Sequence, residues 1–194
     1  MEGQALSLIL AAAAFLLAEA GPDPAATLAE LDARLLAGGS ATQTLEKWCR
    51  EHRLAADPRI VAERVKRADK PVSAEQRARL GIDAAEPVRY RHVRLRCGTR
   101  ILSEADNWYV PARLTPEMNA ALDHSDVPFG TVVAPLGIGR NTLATERLWR
   151  PETDRAMPRA LIRHRAIVHD RAMRPIAEVV ETYQAPLLDV VPSH

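Results

Sequence analysis

The stretch Arg174-Pro175-Ile176-Ala177-Glu178-Val179-Val180-Glu181-Thr182-Tyr183 puts a carboxylate where a packed surface is expected. Read with period two, Ala177, Val179, Glu181 and Tyr183 share one face, and Ile176, Glu178, Val180 and Thr182 the other. A glutamate among apolar and aromatic neighbours is costly unless it is hydrogen-bonded, paired or given chemical work. Glu181 is therefore either a solvated residue on an edge strand or a pocket acid whose surround disfavours the charged form. A second stretch, Asp106-Asn107-Trp108-Tyr109, alternates polar and aromatic groups, so that Asn107 and Tyr109 share a face. Should the two strands lie side by side, an amide and a carboxylate converge in an aromatic cavity that suits a hydroxylated or amide-bearing ring. The competing arrangement is an Asn107–Glu181 hydrogen bond that only fills a core.

Other chemistry is sparse. The six histidines form no ligand cluster, and His164 and His169 are five apart on a predicted strand, hence on opposite faces. Cys49 and Cys97 lack metal-type spacing and are either a disulfide or two buried thiols. No metal and no cofactor are expected. A formal charge of +1 gives no reason to expect nucleic acid as a partner. The run Arg89-Tyr90-Arg91-His92-Val93-Arg94-Leu95-Arg96 reads as the solvated face of a strand, with a phosphate-binding stripe as the alternative.

The elements that must position these residues follow from pattern and punctuation. Ala5 to Ala18 is nearly all apolar and precedes the small-x-small pattern Ala18-Glu19-Ala20. It reads as a signal peptide over residues 1–20, or alternatively a buried core helix, and implies an exported chain with one domain over residues 21–194. Ala25 to Leu36 reads as a helix with Leu28, Leu31, Leu35 and Leu36 inward, and Ser40 opens a second with Ala41, Leu45, Trp48 and Cys49 inward. Ile60 to Val65 is a strand, and Ser73 caps a short helix that stops at Gly81. From Val88 strands dominate: one to Cys97 with a β-bulge near Arg91–His92, then Ile101–Val110, Asn141–Trp149, Ala160–His169 and Ile176–Tyr183. Thr115-Pro116-Glu117 and Pro128-Phe129-Gly130 start short helices among them. Helices first and a strand meander afterwards predict an α+β domain on an antiparallel sheet.

Four stretches in order carry a family resemblance: Gly39-Ser40-Ala41-Thr42-Gln43-Thr44-Leu45-Glu46, Leu102 to Pro111, Pro128-Phe129-Gly130, and the final strand with Glu181. Over roughly residues 38–187 the chain is similar to the chorismate lyase (chorismate pyruvate-lyase) family. The resemblance implies a six-stranded antiparallel sheet flanked by helices over a buried pocket. It also implies elimination of pyruvate from chorismate to give 4-hydroxybenzoate, without metal or cofactor. Glu181 matches the glutamate at the hydroxyl end of the ligand. Phe129 stands where the family has leucine, Ala41 where it has methionine, and Asn107 where an arginine anchors the ring carboxylate. An amide offers that carboxylate far less than a guanidinium fork does.

Two functional readings follow. One is a lyase-like enzyme with Glu181 as its acid–base or orienting group, Asn107, Phe129, Ala41 and Tyr109 around the ligand, and altered specificity. The other is a non-catalytic module of the same fold that binds an aromatic or cyclic carboxylate.

Overall fold

A computed structural model of the chain describes residues 21–66 and 69–190. The apolar run Ala5–Ala18 and its cleavage pattern lie outside the described residues. Five α-helices span Pro24–Leu36 (α1), Ala41–Glu51 (α2), Ala74–Leu80 (α3), Pro116–His124 (α4) and Phe129–Val132 (α5). Six strands span Ile60–Arg64 (β1), Arg89–Cys97 (β2), Arg100–Tyr109 (β3), Gly139–Arg147 (β4), Ala160–His169 (β5) and Pro175–Gln184 (β6). They form one sheet in the order β1-β2-β3-β6-β5-β4, and every pairing is antiparallel.

Local sequence explains where the helices start and stop. Asp23 accepts a hydrogen bond from the Ala25 amide, with Pro24 pre-set at the first helical position of α1. Ser40 caps α2 through the Gln43 amide. Ser73 and Gln76 bond reciprocally at the start of α3, and Gly81 ends that helix at φ 61°, a conformation glycine adopts without steric cost. Leu28, Leu31 and Leu35 of α1 are buried as their spacing requires, but Leu36 is 45% exposed. Ala41, Leu45, Trp48 and Cys49 of α2 are all buried.

These apolar stripes cover one face of the sheet. Leu31, Leu45, Trp48, Leu95 and Tyr183 belong to a core beneath α1 and α2. Leu122, Phe129, Ala166 and Val179 belong to a second beneath α4 and α5. On the outer face a small cluster of Leu80, Val110 and Ile167 sits beneath α3. Cys49 of α2 is disulfide-bonded to Cys97 at the end of β2, with 6.4 Å between the Cα atoms. Closing a loop of 48 residues lowers the entropy of the unfolded chain by an amount worth about 4 kcal/mol in the chain-entropy account. Among the described residues, no helix is long and apolar enough to cross a membrane.

Two expectations about the strands need correction. The register shift in the β2–β3 hairpin falls between Leu95 and Arg96, with Leu102 the extra residue on β3, and not at Arg91–His92. The apparent slip in the hydrophobic pattern arises because Arg91 itself occupies an inward position, 2% exposed, in line with Val93, Leu95 and Cys97. The arginine run is thus not a uniformly solvated face. The second correction is that β4 begins at Gly139 and not at Asn141, which brings Arg140 into the sheet.

Candidate functional site

A cavity opens between the inner face of the sheet, the first turn of α2 and α5. Strand pairing explains its floor: Ala105 of β3 lies opposite Glu181 of β6, and Asn107 lies opposite Val179. All four side chains line the cavity, with Val93 from β2 and Arg140 from β4. Ala41 and Phe129 close it from the helix side. Tyr109 shares the inner face and packs on Phe129 at 5.8 Å between ring centroids, yet it lines a different groove and not this cavity. The cavity volume is about 40 Å³, room for water and too little for a ring. The α5 wall is a single turn. A Cβ on Gly130 would stand 2.5 Å from Ser40 Oγ, so only glycine lets α5 rest this closely on the start of α2.

Glu181 is 7% exposed, and its surround is not the apolar one expected from its strand neighbours. The Arg140 guanidinium, with a side chain 3% exposed, donates from Nη1 to Glu181 Oε2. Tyr183 Oη donates to the same oxygen at 3.0 Å. Glu181 is therefore paired with a base and is not an isolated acid. Asn107 makes no bond to Glu181; its amide donates to the Arg91 carbonyl at 3.4 Å. Burial opposes the charge on Arg140, but the Glu181 carboxylate and the Tyr183 hydroxyl outweigh it and hold the guanidinium above the ordinary arginine value.

The arrangement leaves Arg140 half used. Its Nε and Nη2 atoms are buried and have no hydrogen-bond partner. These two N–H groups lie on one edge of the planar guanidinium, the fork that receives both oxygens of a carboxylate. Behind this pair, His164 of β5 stands opposite Glu181. Its Nε2 is 2.9 Å from Asp32 Oδ1 of α1, its ring packs edge-on against Tyr183, and its Nδ1 is buried without a partner. Burial, then the Arg140 charge, lowers the His164 pKa. With Asp32 accepting, Nε2 carries the proton of the neutral ring.

From sequence, His164 serves only to exclude a metal shared with His169, and Arg140 is not picked out. The expected strand begins only at Asn141, which leaves Arg140 outside it. The usable signal was indirect: a glutamate on a packed face needs a counter-charge from a neighbouring strand. Among the described residues, no group of three or more His, Cys, Asp or Glu side chains is placed to hold a metal ion.

The architecture defines an α+β domain of the chorismate lyase-like fold. The effector domain of PhnF from Mycobacterium smegmatis superposes with a TM-score of 0.54 at 15% identity, over 76% of this chain and 89% of that one. The longer PhnF chain gives 0.55 at 14% identity, over 80% and 68%. The chain spans 61% of the length of YydK from Bacillus subtilis, a possible transcriptional regulator, with a TM-score of 0.46. No family model matches the sequence. Over 180 residues it is 43% identical to the uncharacterized protein y4mC of Sinorhizobium fredii (strain NBRC 101917 / NGR234), covering 84% of this chain and 76% of that one. The chain belongs to the y4mC family.

Proposed function

We propose that this chain is a non-catalytic small-molecule-binding module whose inner cavity takes an aromatic or cyclic carboxylate. The observation that carries the reading is the buried, unfilled Nε/Nη2 edge of Arg140 in the cavity wall. A ligand carboxylate satisfies both donors at once, the task that the family resemblance had assigned to the position of Asn107. The first turn of α2 lines the same cavity, and its amide ends add to the attraction for an anion. Glu181 orients the guanidinium and presents Oε1 to a ligand hydroxyl. Because the empty cavity is too small for a ring, binding displaces α5 and Phe129. The likeness to the PhnF effector domain supports a binding role over the lyase reading, as does a Glu181 already engaged by two donors. The Cys49–Cys97 pairing supports export, since disulfides persist in oxidising compartments.

Calorimetry with 4-hydroxybenzoate, its uncharged amide analogue and chorismate tests this. The carboxylate should bind, the amide should not, and Arg140→Gln should abolish the difference. Pyruvate released from chorismate would restore the lyase reading, and equal binding of acid and amide would remove Arg140 as the anchor.

A further inference from the structure

A second, larger concavity of about 540 Å³ lies where the sheet loses its edge strand. β1 ends at Arg64, opposite Val93, so the start of β2 from Arg89 to Arg91 has no strand beside it there. Five cationic side chains line the groove, Arg64, Lys70, Arg77, Arg89 and Arg91, against two acidic ones, Asp69 and Asp123. Two of the cations are engaged: Lys70 pairs with Asp106 and Arg89 with Asp123. The other three have only neutral partners among the described residues. Arg64 donates to the Asp123 carbonyl at 2.6 Å. Arg77 donates to the carbonyls of Asp83 and Glu86 at 2.7 and 2.9 Å. Arg91, 2% exposed, reaches only the Ser125 and Val127 carbonyls at 3.3–3.4 Å, and its Nε has no partner.

A buried guanidinium with no carboxylate bonded to it is expensive, and a second one nearby raises the expense. Burial and then the Arg64 charge push Arg91 down to about 10, against a smaller opposite pull from the Asp123 carboxylate. By contrast, Arg79 is paired with Glu178 and Arg140 with Glu181. Here three line one groove, and none has a carboxylate bonded to it among the described residues. A single carboxylate would leave most of this charge unmatched, whereas a multiply charged oxyanion meets several guanidiniums at once.

We propose that this groove is a second ligand site, separate from the inner cavity, which takes a small, multiply charged oxyanion of the phosphate class through Arg64, Arg77 and Arg91. It shares no lining residue with the cavity and does not depend on the proposed carboxylate ligand. The test is calorimetric titration of the full chain with pyrophosphate at low salt, with Arg64→Gln and Arg77→Gln as variants. Both positions are more exposed than Arg91, so folding should survive. The wild type should bind one pyrophosphate, and each variant should bind roughly tenfold more weakly. Arg171→Gln, which removes an exposed arginine that also has only carbonyl partners, should change nothing. No binding by the wild type at about 1 mM pyrophosphate overturns the site. So does an equal loss in Arg171→Gln, which would mark attraction to net charge alone.

Discussion

The last strand carries two buried glutamates, and the fold treats them differently. On the outer face Glu178, 1% exposed, takes both donors of one guanidinium edge: Arg79 Nε at 2.8 Å and Nη2 at 2.9 Å. Gln76 Nε2 adds a third contact at 3.4 Å. On the inner face Glu181 takes one donor from its arginine, Nη1 of Arg140, beside the Tyr183 hydroxyl, and the Nε/Nη2 edge that Arg79 spends on its glutamate is left empty. One pair is saturated beneath α3; the other is unsaturated beside a cavity. A structural ion pair has no reason to hold back its best hydrogen-bonding edge, whereas a binding site does.

The contrast breaks first, and most strongly, on the outer side. Arg79→Ala leaves buried Glu178 with only Arg165 Nε, 3.9 Å away, as a cation and should cost about 3 kcal/mol in urea unfolding, with no change in ligand affinity. A loss of ligand binding at unchanged stability would reverse the roles given to the two faces. On the inner side the double change Arg140→Met with Glu181→Leu replaces the pair with apolar groups of similar bulk. Such replacements of buried ion pairs are often neutral, so stability should stay within about 1 kcal/mol of wild type. Binding of 4-hydroxybenzoate should vanish all the same. A large loss of stability in the double variant would show that Arg140–Glu181 is held for the fold.

The sequence carried one half of this comparison. Period-two reading placed Glu178 and Glu181 on opposite faces, and it grouped Ala177, Val179 and Tyr183 correctly with Glu181. Caps at Ser40 and Ser73 and the span of β5 were legible because local chemistry fixes them. Counter-charges were not, since Arg79 and Arg140 come from α3 and β4, about 100 and 40 residues away from their partners in sequence. Arg91 shows the same limit from the other direction. A buried arginine breaks the alternation that pattern reading depends on, so its strand looked bulged where it runs straight through.

The smallest expected effect separates the two faces by pH. His164 lies behind the inner glutamate, surrounded by Asp32 from α1, Arg140 from β4, and Glu181 and Tyr183 from β6, with Arg147 4.0 Å from Asp32. Its folded-state pKa is lowered from 6.5, first by burial and then by Arg140, against the opposing pull of Asp32. In the unfolded chain the imidazole takes up its proton near the usual value, while the folded chain resists protonation to lower pH. Between those two values the unfolded state binds more protons, so stability falls as pH drops through 6.5 and stops falling once the folded pKa is passed. The carboxylates with lowered values, Glu51, Asp106, Glu117 and Asp170, lose their contribution only below 4.5, outside a comparison made at about pH 5.5 and above. His52 is also lowered by burial and shares the upper window, so His164→Gln should reduce the acid loss without removing it. Comparing urea midpoints at about pH 7.5 and about pH 5.5, the variant should lose less stability than wild type by about 1 kcal/mol or less. An identical drop in both proteins would mean that His164 does not titrate across this range, and that the chemistry behind the inner glutamate is as inert to pH as the saturated pair on the outer face.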